Sequence, residues 1–217
     1  MIPGVAITVD REAVVVRADE PLTVLSSAVV AGGLNMARAI MNLHVPRAFR
    51  YEDSEPVLAE FARCRGLAPP WVGLLTAAWT EKAEVADDAC GALSAVAIAT
   101  VGLSNVLGAG RGRPTEWAPS TINTIVVVDA APEPAALVNL VLTITEAKTL
   151  ALAEAGVRAS DGGLASGTST DAVAVAATGR GLSVRFGGPL SELGALVARV
   201  AKRTLDAGIR RWRLEHP

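Results

Sequence analysis

Short alternating segments open the chain, and longer apolar runs follow. Val5–Val9, Ala13–Arg17 and Leu22–Val30 read as strands, with turns at Asp10–Glu12 and Ala18–Pro21, and the first two suit a hairpin. Asn35–Leu43 predicts a helix or helical turn, and Pro56–Cys64 a second helix capped by Ser54. Val72–Ala78 reads as a buried strand, the polar Lys82–Asp88 as a short helix or hairpin crossing, and Ala89–Val101 as a strand. Residues 108–120 are dense in Gly and Pro and predict a mobile surface loop, where Arg111 and Arg113 can meet an anionic or amide-rich ligand. Thr121–Asp129 is a strand. Ala135–Ala155 is the longest helix, stopped by Gly156; apolar nearly all round, it is expected to lie deep in the fold. Strands Ala172–Ala177 and Leu182–Phe186 follow, then an amphipathic helix from Ser191 to about Leu214. This interleaving predicts an α/β or α+β single domain over residues 1–217, with a central mixed β-sheet, a buried helix at about 135–155 and a C-terminal amphipathic helix.

Composition narrows the function. Half of the 217 residues are hydrophobic and only 4% aromatic, so a large aliphatic core is expected. A net charge of −2 argues against nucleic acid as a partner, because phosphate neutralisation needs a basic surface. The basic residues of the last helix read as a solvated face. No apolar run reaches the ~18 residues of a membrane span, since Glu146 and Lys148 interrupt the nearest candidate. Cys64 and Cys90 form no metal-binding pair, and the N-terminus lacks the pattern of a signal peptide. These features predict a soluble cytoplasmic protein that requires no metal or cofactor; a homo-oligomer is compatible with them.

The richest candidate chemistry lies in Gly162-Gly-Leu-Ala-Ser-Gly-Thr-Ser-Thr-Asp171, ahead of an apolar run. It reads as a Gly-rich loop feeding a buried strand, in which Asp171 orients a neighbouring hydroxyl or acts as a base; a capped turn is the plainer alternative. On the long helix, Asn139, Thr143 and Glu146 share one face, and burying them calls for partners. Lys148 is expected to pair with Asp171 or Glu146. Leu25-Ser-Ser-Ala-Val-Val-Ala-Gly-Gly33 carries a strand into paired glycines, which often deliver backbone to a ligand. His44 is the one histidine in the body of the chain and a candidate general base.

Several segments together resemble the adenosylcobinamide amidohydrolase family. They are Leu25-Ser26-Ser27-Ala28 with Gly32 and Gly33, Asn42 ahead of Val45, Gly102-Leu-Ser104-Asn105, Thr121-Ile-Asn123, Leu137-Val-Asn139, Thr145-Glu-Ala-Lys-Thr149 and Gly167-Thr-Ser-Thr-Asp171. They occur in the family's order over about residues 22–200. The resemblance implies a salvage hydrolase of the cobalamin pathway that cleaves the aminopropanol amide of adenosylcobinamide, giving adenosylcobyric acid. A corrinoid is then its small-molecule substrate and partner. Substrate contacts are implied at Ser26, Ser27, Gly32, Gly33, Asn42, His44, Ser104, Asn105, Thr121, Asn123, Asn139, Gly167 and Ser169. Catalytic roles fall to Glu146, Asp171, Lys148, Thr168 and Thr170. Either Glu146 or Asp171 activates a water, or Thr168 or Thr170 attacks with Lys148, Glu146 or Asp171 as its activating group; the first is favoured because no dedicated base for a threonine is evident. Backbone N–H groups of residues 162–168 suit an oxyanion hole. The chain departs from the family at Ala31, where Gly or Asn is common, and at Ser169, where Gly is. Those departures suit a competing reading, a corrinoid-binding or regulatory protein with reduced or lost activity. A related amidohydrolase acting on a different amide is a third.

Overall fold

The apolar runs pair into one mixed sheet that folds over itself. A computed structural model describes residues 2–111 and 121–216. Its elements are β1 (Val5–Val9), β2 (Ala13–Ser26), β3 (Gly33–His44), α1 (Ser54–Cys64), β4 (Trp71–Thr76), β5 (Glu84–Cys90), β6 (Leu93–Val101), β7 (Val106–Leu107), β8 (Ile122–Asp129), β9 (Ala131–Pro132), α2 (Pro134–Glu154), β10 (Gly167–Thr168), β11 (Ala172–Ala177), β12 (Ser183–Val184) and α3 (Glu192–Glu215), with 3-10 turns at Tyr51–Asp53 and Thr80–Lys82. The main sheet runs β4-β3-β2-β11-β8-β6-β5, and β1 pairs with β2. Within that sheet the β3–β4 and β8–β11 pairs are parallel, and the other pairs are antiparallel.

Three core clusters define four layers. The first packs α2 and α3 on the β11–β8–β6 face, through Leu140, Ile144, Val126, Leu196 and Val200. The second joins that sheet's other face to the β1–β4 end, with Val14, Val16, Ile40 and Leu74 meeting Ile98, Ile125 and Val127. The third seats α1 on the outside of β2–β3–β4, through Leu58, Met41 and Val15. Strands far apart in the strand order therefore face one another, and the long β2–β3 hairpin belongs to both sheet layers. Its register shifts between Arg17 and Leu22, and that irregularity lets the hairpin bend.

The sequence misread this hairpin. The helix expected at 35–43 is strand β3, bonded to β2 on one side and β4 on the other. Met36, Ala37, Met41 and Leu43 favour helix locally, but two ladders of hydrogen bonds override that preference. The turn expected at 18–21 is part of one continuous strand, with Pro21 tolerated at the irregular register. The strand expected to reach Val30 ends at Ser26. Residues 84–90 make a hairpin with β6, while Lys82 ends a 3-10 turn, and Gly91, at φ +59°, divides the single strand expected at 89–101. Most of the loop expected at 108–120, with Arg113, lies outside the described residues.

The helix α2 is less deeply placed than its composition predicts. One face packs on the sheet and α3, while Val138, Leu142 and Leu150 on the other are about half exposed. By length and apolarity it matches a membrane-crossing helix, yet half of that window is buried against the rest of the fold.

Candidate active site

One end of the gap between the two sheet layers is closed by polar groups. Asn42 on β3, Thr100 on β6 and Asn123 on β8 extend the alternation that points Ile40, Ile98 and Ile125 into the gap. Asn42 Nδ2 donates to Thr100 Oγ1 at 3.0 Å, and Asn123 Nδ2 donates to Asn42 Oδ1 and to Leu75 O, both at 2.8 Å. These bonds fix the orientation of both amides. Asn123 Oδ1 is left facing the Thr121 hydroxyl at 2.9 Å, and that hydroxyl also lies 2.7 Å from Thr170 O. Its single proton is thus held by acceptors inside the protein, and its lone pairs remain for a group on the other side.

Beside this plug, Asp171 ties three elements together. Oδ1 accepts from Ile122 N at 3.0 Å and from the Thr168 hydroxyl. Oδ2 accepts from Thr168 N at 3.1 Å and from Lys148 Nζ, which reaches across from α2. Of the two carboxylates available, Lys148 therefore pairs with Asp171, and both side chains are about 10% exposed. A carboxylate offers about four lone-pair sites, and here four donors occupy them. Gly167 is required for this packing: a Cβ there would lie 2.3 Å from Asp171 Oδ2 and 2.8 Å from Lys148 Nζ.

A pocket of about 410 Å³ opens over the pair at this end of the sandwich. Asp171, Thr170, Thr121 and Ser27 lie along one side, and Val29, Val45, Phe49 and Leu74 supply apolar wall. Asp171 is the one carboxylate among the described lining residues, which include no His, Lys or Cys. Ser27 is held by Val173 N, which donates to its hydroxyl at 3.1 Å.

The other sequence candidates fall into three groups. Around the pocket, Ser26 is buried at the end of β2, and Ser169 accepts from Asn105 Nδ2 at 2.7 Å. His44 places Nδ1 3.0 Å from Ala78 O and stacks on Trp79, with ring centroids 4.7 Å apart, outside the lining. Gly32 precedes β3 and Gly33 opens it, both exposed, and Ser104 lines a separate, smaller cavity. The polar face expected along α2 does not converge on the pocket: Thr143 is buried and donates to Gly187 O at 3.0 Å, Asn139 is half-buried and Glu146 is exposed. Thr121, expected through the family resemblance as a substrate contact, lies in the pocket lining beside Thr170 and Asp171. Among the described residues, no group of three or more His, Cys, Asp or Glu side chains is arranged to hold a metal ion.

Comparison with known proteins agrees in family and fold. A family model described as adenosylcobinamide amidohydrolase matches residues 3–217. The chain is 32% identical over 195 residues to the adenosylcobinamide amidohydrolase of Methanosarcina mazei, covering 83% of this chain and 88% of that one. Its fold is similar to that of a Burkholderia sp. beta-aminopeptidase, with a TM-score of 0.52 at 14% identity over 97% of this chain and 84% of the other.

Proposed function

The chain belongs to the adenosylcobinamide amidohydrolase family, and on that premise we propose that it hydrolyses the amide joining the aminopropanol arm to the corrin of adenosylcobinamide. The products are adenosylcobyric acid and aminopropanol, and the reaction serves corrinoid salvage. The observation that carries the site assignment is Asp171, the one carboxylate among the described residues lining the pocket, with Thr121 and Thr170 in the same lining.

Amide hydrolysis needs a nucleophile, a proton acceptor and support for the oxyanion. A water held by the lone pairs of Thr121 Oγ1 attacks the carbonyl carbon, and Asp171 takes its proton. For that, one of the four donors on Asp171 must withdraw. The Thr168 hydroxyl is the one that can rotate away without moving backbone or a charge. Lys148 keeps the carboxylate in place from below, and Glu146, exposed on α2, takes no part. The proton then passes to the departing amine as the carbon–nitrogen bond breaks.

The test is incubation with adenosylcobinamide and mass spectrometry of the corrinoid. Conversion to adenosylcobyric acid with release of aminopropanol is expected; a sample that neither binds nor converts the corrinoid overturns the reading. A second reading, a corrinoid-binding protein without turnover, is favoured by the full occupancy of Asp171 by donors. Tight binding with no product would select it.

A further inference from the structure

A second cavity lies against the first. Its volume is about 70 Å³, and it is walled by Trp79, Trp212, Gly102 and Ser104. Three cations from three elements border it: Arg47 after β3, Lys82 in the 3-10 turn before β5, and Arg211 on α3. The two cavities share a wall. Val45 and Pro46 line the larger and Arg47 the smaller; Thr76 lines the larger, Ala78 and Trp79 the smaller, and Ala77 both.

Charge and size define what fits there. Glu215 is the one carboxylate among the described lining residues, and it pairs with Lys82 at 2.7 Å. Arg211 is engaged by Glu84, outside the cavity's lining, and by the backbone oxygen of Lys82, within it. Among the described residues, no carboxylate lies within ion-pair distance of Arg47. The cavity thus holds an excess of positive charge. A water needs about 10–15 Å³ of such space, so there is room for about five non-hydrogen atoms, the size of a phosphate group. Arg presents a planar fork suited to phosphate oxygens, and Lys adds a point charge.

We propose that this cavity is an oxyanion subsite of the active site, taking a phosphate esterified to the hydroxyl of the aminopropanol arm while the amide lies over Asp171. This rests on the proposed substrate. By the same measure the larger pocket admits roughly thirty non-hydrogen atoms, enough for the arm and its amide but not for the whole substituted corrin. The macrocycle therefore stays at the rim, and the arm is the part that reaches toward Ala77. A phosphorylated arm extends in the direction of Arg47. The subsite also gives the basic C-terminal helix and Ser104 a place beside the chemistry.

The experiment has a binding arm and a kinetic arm. Inorganic phosphate is titrated into the whole protein and followed by tryptophan fluorescence, since Trp79 and Trp212 both line the cavity. Saturable binding is expected, weakened roughly tenfold or more by Arg47→Ala and strengthened by Glu215→Gln. In the kinetic arm, adenosylcobinamide and its arm-phosphorylated form compete for the enzyme. The wild type should prefer the phosphorylated form by roughly tenfold in kcat/KM, and Arg47→Ala should collapse the ratio. No saturable phosphate binding, or binding indifferent to Arg47→Ala, overturns the proposal. Phosphate binding without any kinetic preference assigns the cavity to a free oxyanion and overturns its place on the substrate arm. Phosphate binding that depends on Arg47, in a protein that cleaves neither corrinoid, upholds an oxyanion site and sinks the hydrolase reading instead.

Discussion

Asp171→Asn should be the most damaging single change at the site, worse than Lys148→Met. The carboxylate holds four donors. Lys148→Met removes one and leaves three, so the charge stays solvated by hydrogen bonds. Breaking a buried ion pair costs about 3–5 kcal/mol when the survivor is left bare. With three donors retained, about 2–3 kcal/mol is expected. Asp171→Asn leaves the ammonium of Lys148, about 10% exposed, without its counterion. The new amide has one carbonyl oxygen with two lone pairs, so two of the four donors lose their acceptor, at about 1–3 kcal/mol each. About 5 kcal/mol is expected in total. For a chain of this length 1 kcal/mol moves Tm by about 2–4 °C, so the loss is about 10–20 °C, against about 5–10 °C for Lys148→Met. Urea unfolding with a common m-value is the assay. The double substitution removes the stranded charge and should recover about 2 kcal/mol relative to Asp171→Asn. Equal losses from the two single variants, or no recovery in the double, would refute the description of Asp171 as the shared acceptor.

Four further outcomes are expected. In turnover assays, Glu146→Gln should behave nearly as wild type, while Asp171→Asn, verified as folded at low temperature, should lose at least ~100-fold. Gly167→Ala should destabilise strongly, because its Cβ meets two pinned side chains; Gly163→Ala should cost little in a thermal melt, because its Cβ meets only the far end of the Arg111 side chain, which can swing aside. Ala31 sits at φ +54°, a left-handed backbone conformation that Gly adopts without steric cost. Ala31→Gly should therefore raise stability by about 1 kcal/mol, read as a rise of about 2–4 °C in Tm. Burial opposes ionisation of Asp10, but bonds from Ala13 N and Glu12 N and the Arg65 guanidinium outweigh it and hold the carboxyl below its usual value of 3.8. Its folded form releases the proton more readily than the unfolded chain, so its contribution is complete above about pH 4 and is lost as pH falls through the lowered value. Asp10→Asn should flatten that part of the acid-unfolding curve.

Where the sequence spoke through long range-independent patterns, it was legible. The run Thr124–Val128, the apolar length of α2 and the stripe of α3 each declare one structure. That Lys148 pairs with a carboxylate was also readable, but the sequence left Asp171 and Glu146 as alternatives, and the fold selects Asp171. Strand β3 was not, because its residues favour helix and only its neighbours on both sides make it a strand. The pocket was hidden for a related reason. Residues 27, 45, 76, 121 and 171 meet there because the hairpin bends the sheet over itself, and no local pattern announces that bend. Glu146 misled because a polar residue in an apolar helix was assumed to be buried; α2 has an open side, and Glu146 lies on it.

The position of β11 also sets when the site comes into being. That strand lies between β2 and β8, and its bond partners in β2 stand near the other end of the chain, with Ala174 opposite Ser26. Until the ribosome has released the stretch past Ala177, the two halves of the sheet have nothing to join them, and Asp171 has no Ile122 amide to grip. Loop-closure entropy of that span must be met before the pairing is rewarded, which places assembly among the slow, non-local class of folding events. A chain cut short before residue 172 would keep the β2–β3 hairpin and the β5–β6 hairpin as separate pieces with exposed edges, prone to pair with other copies rather than to hold a substrate.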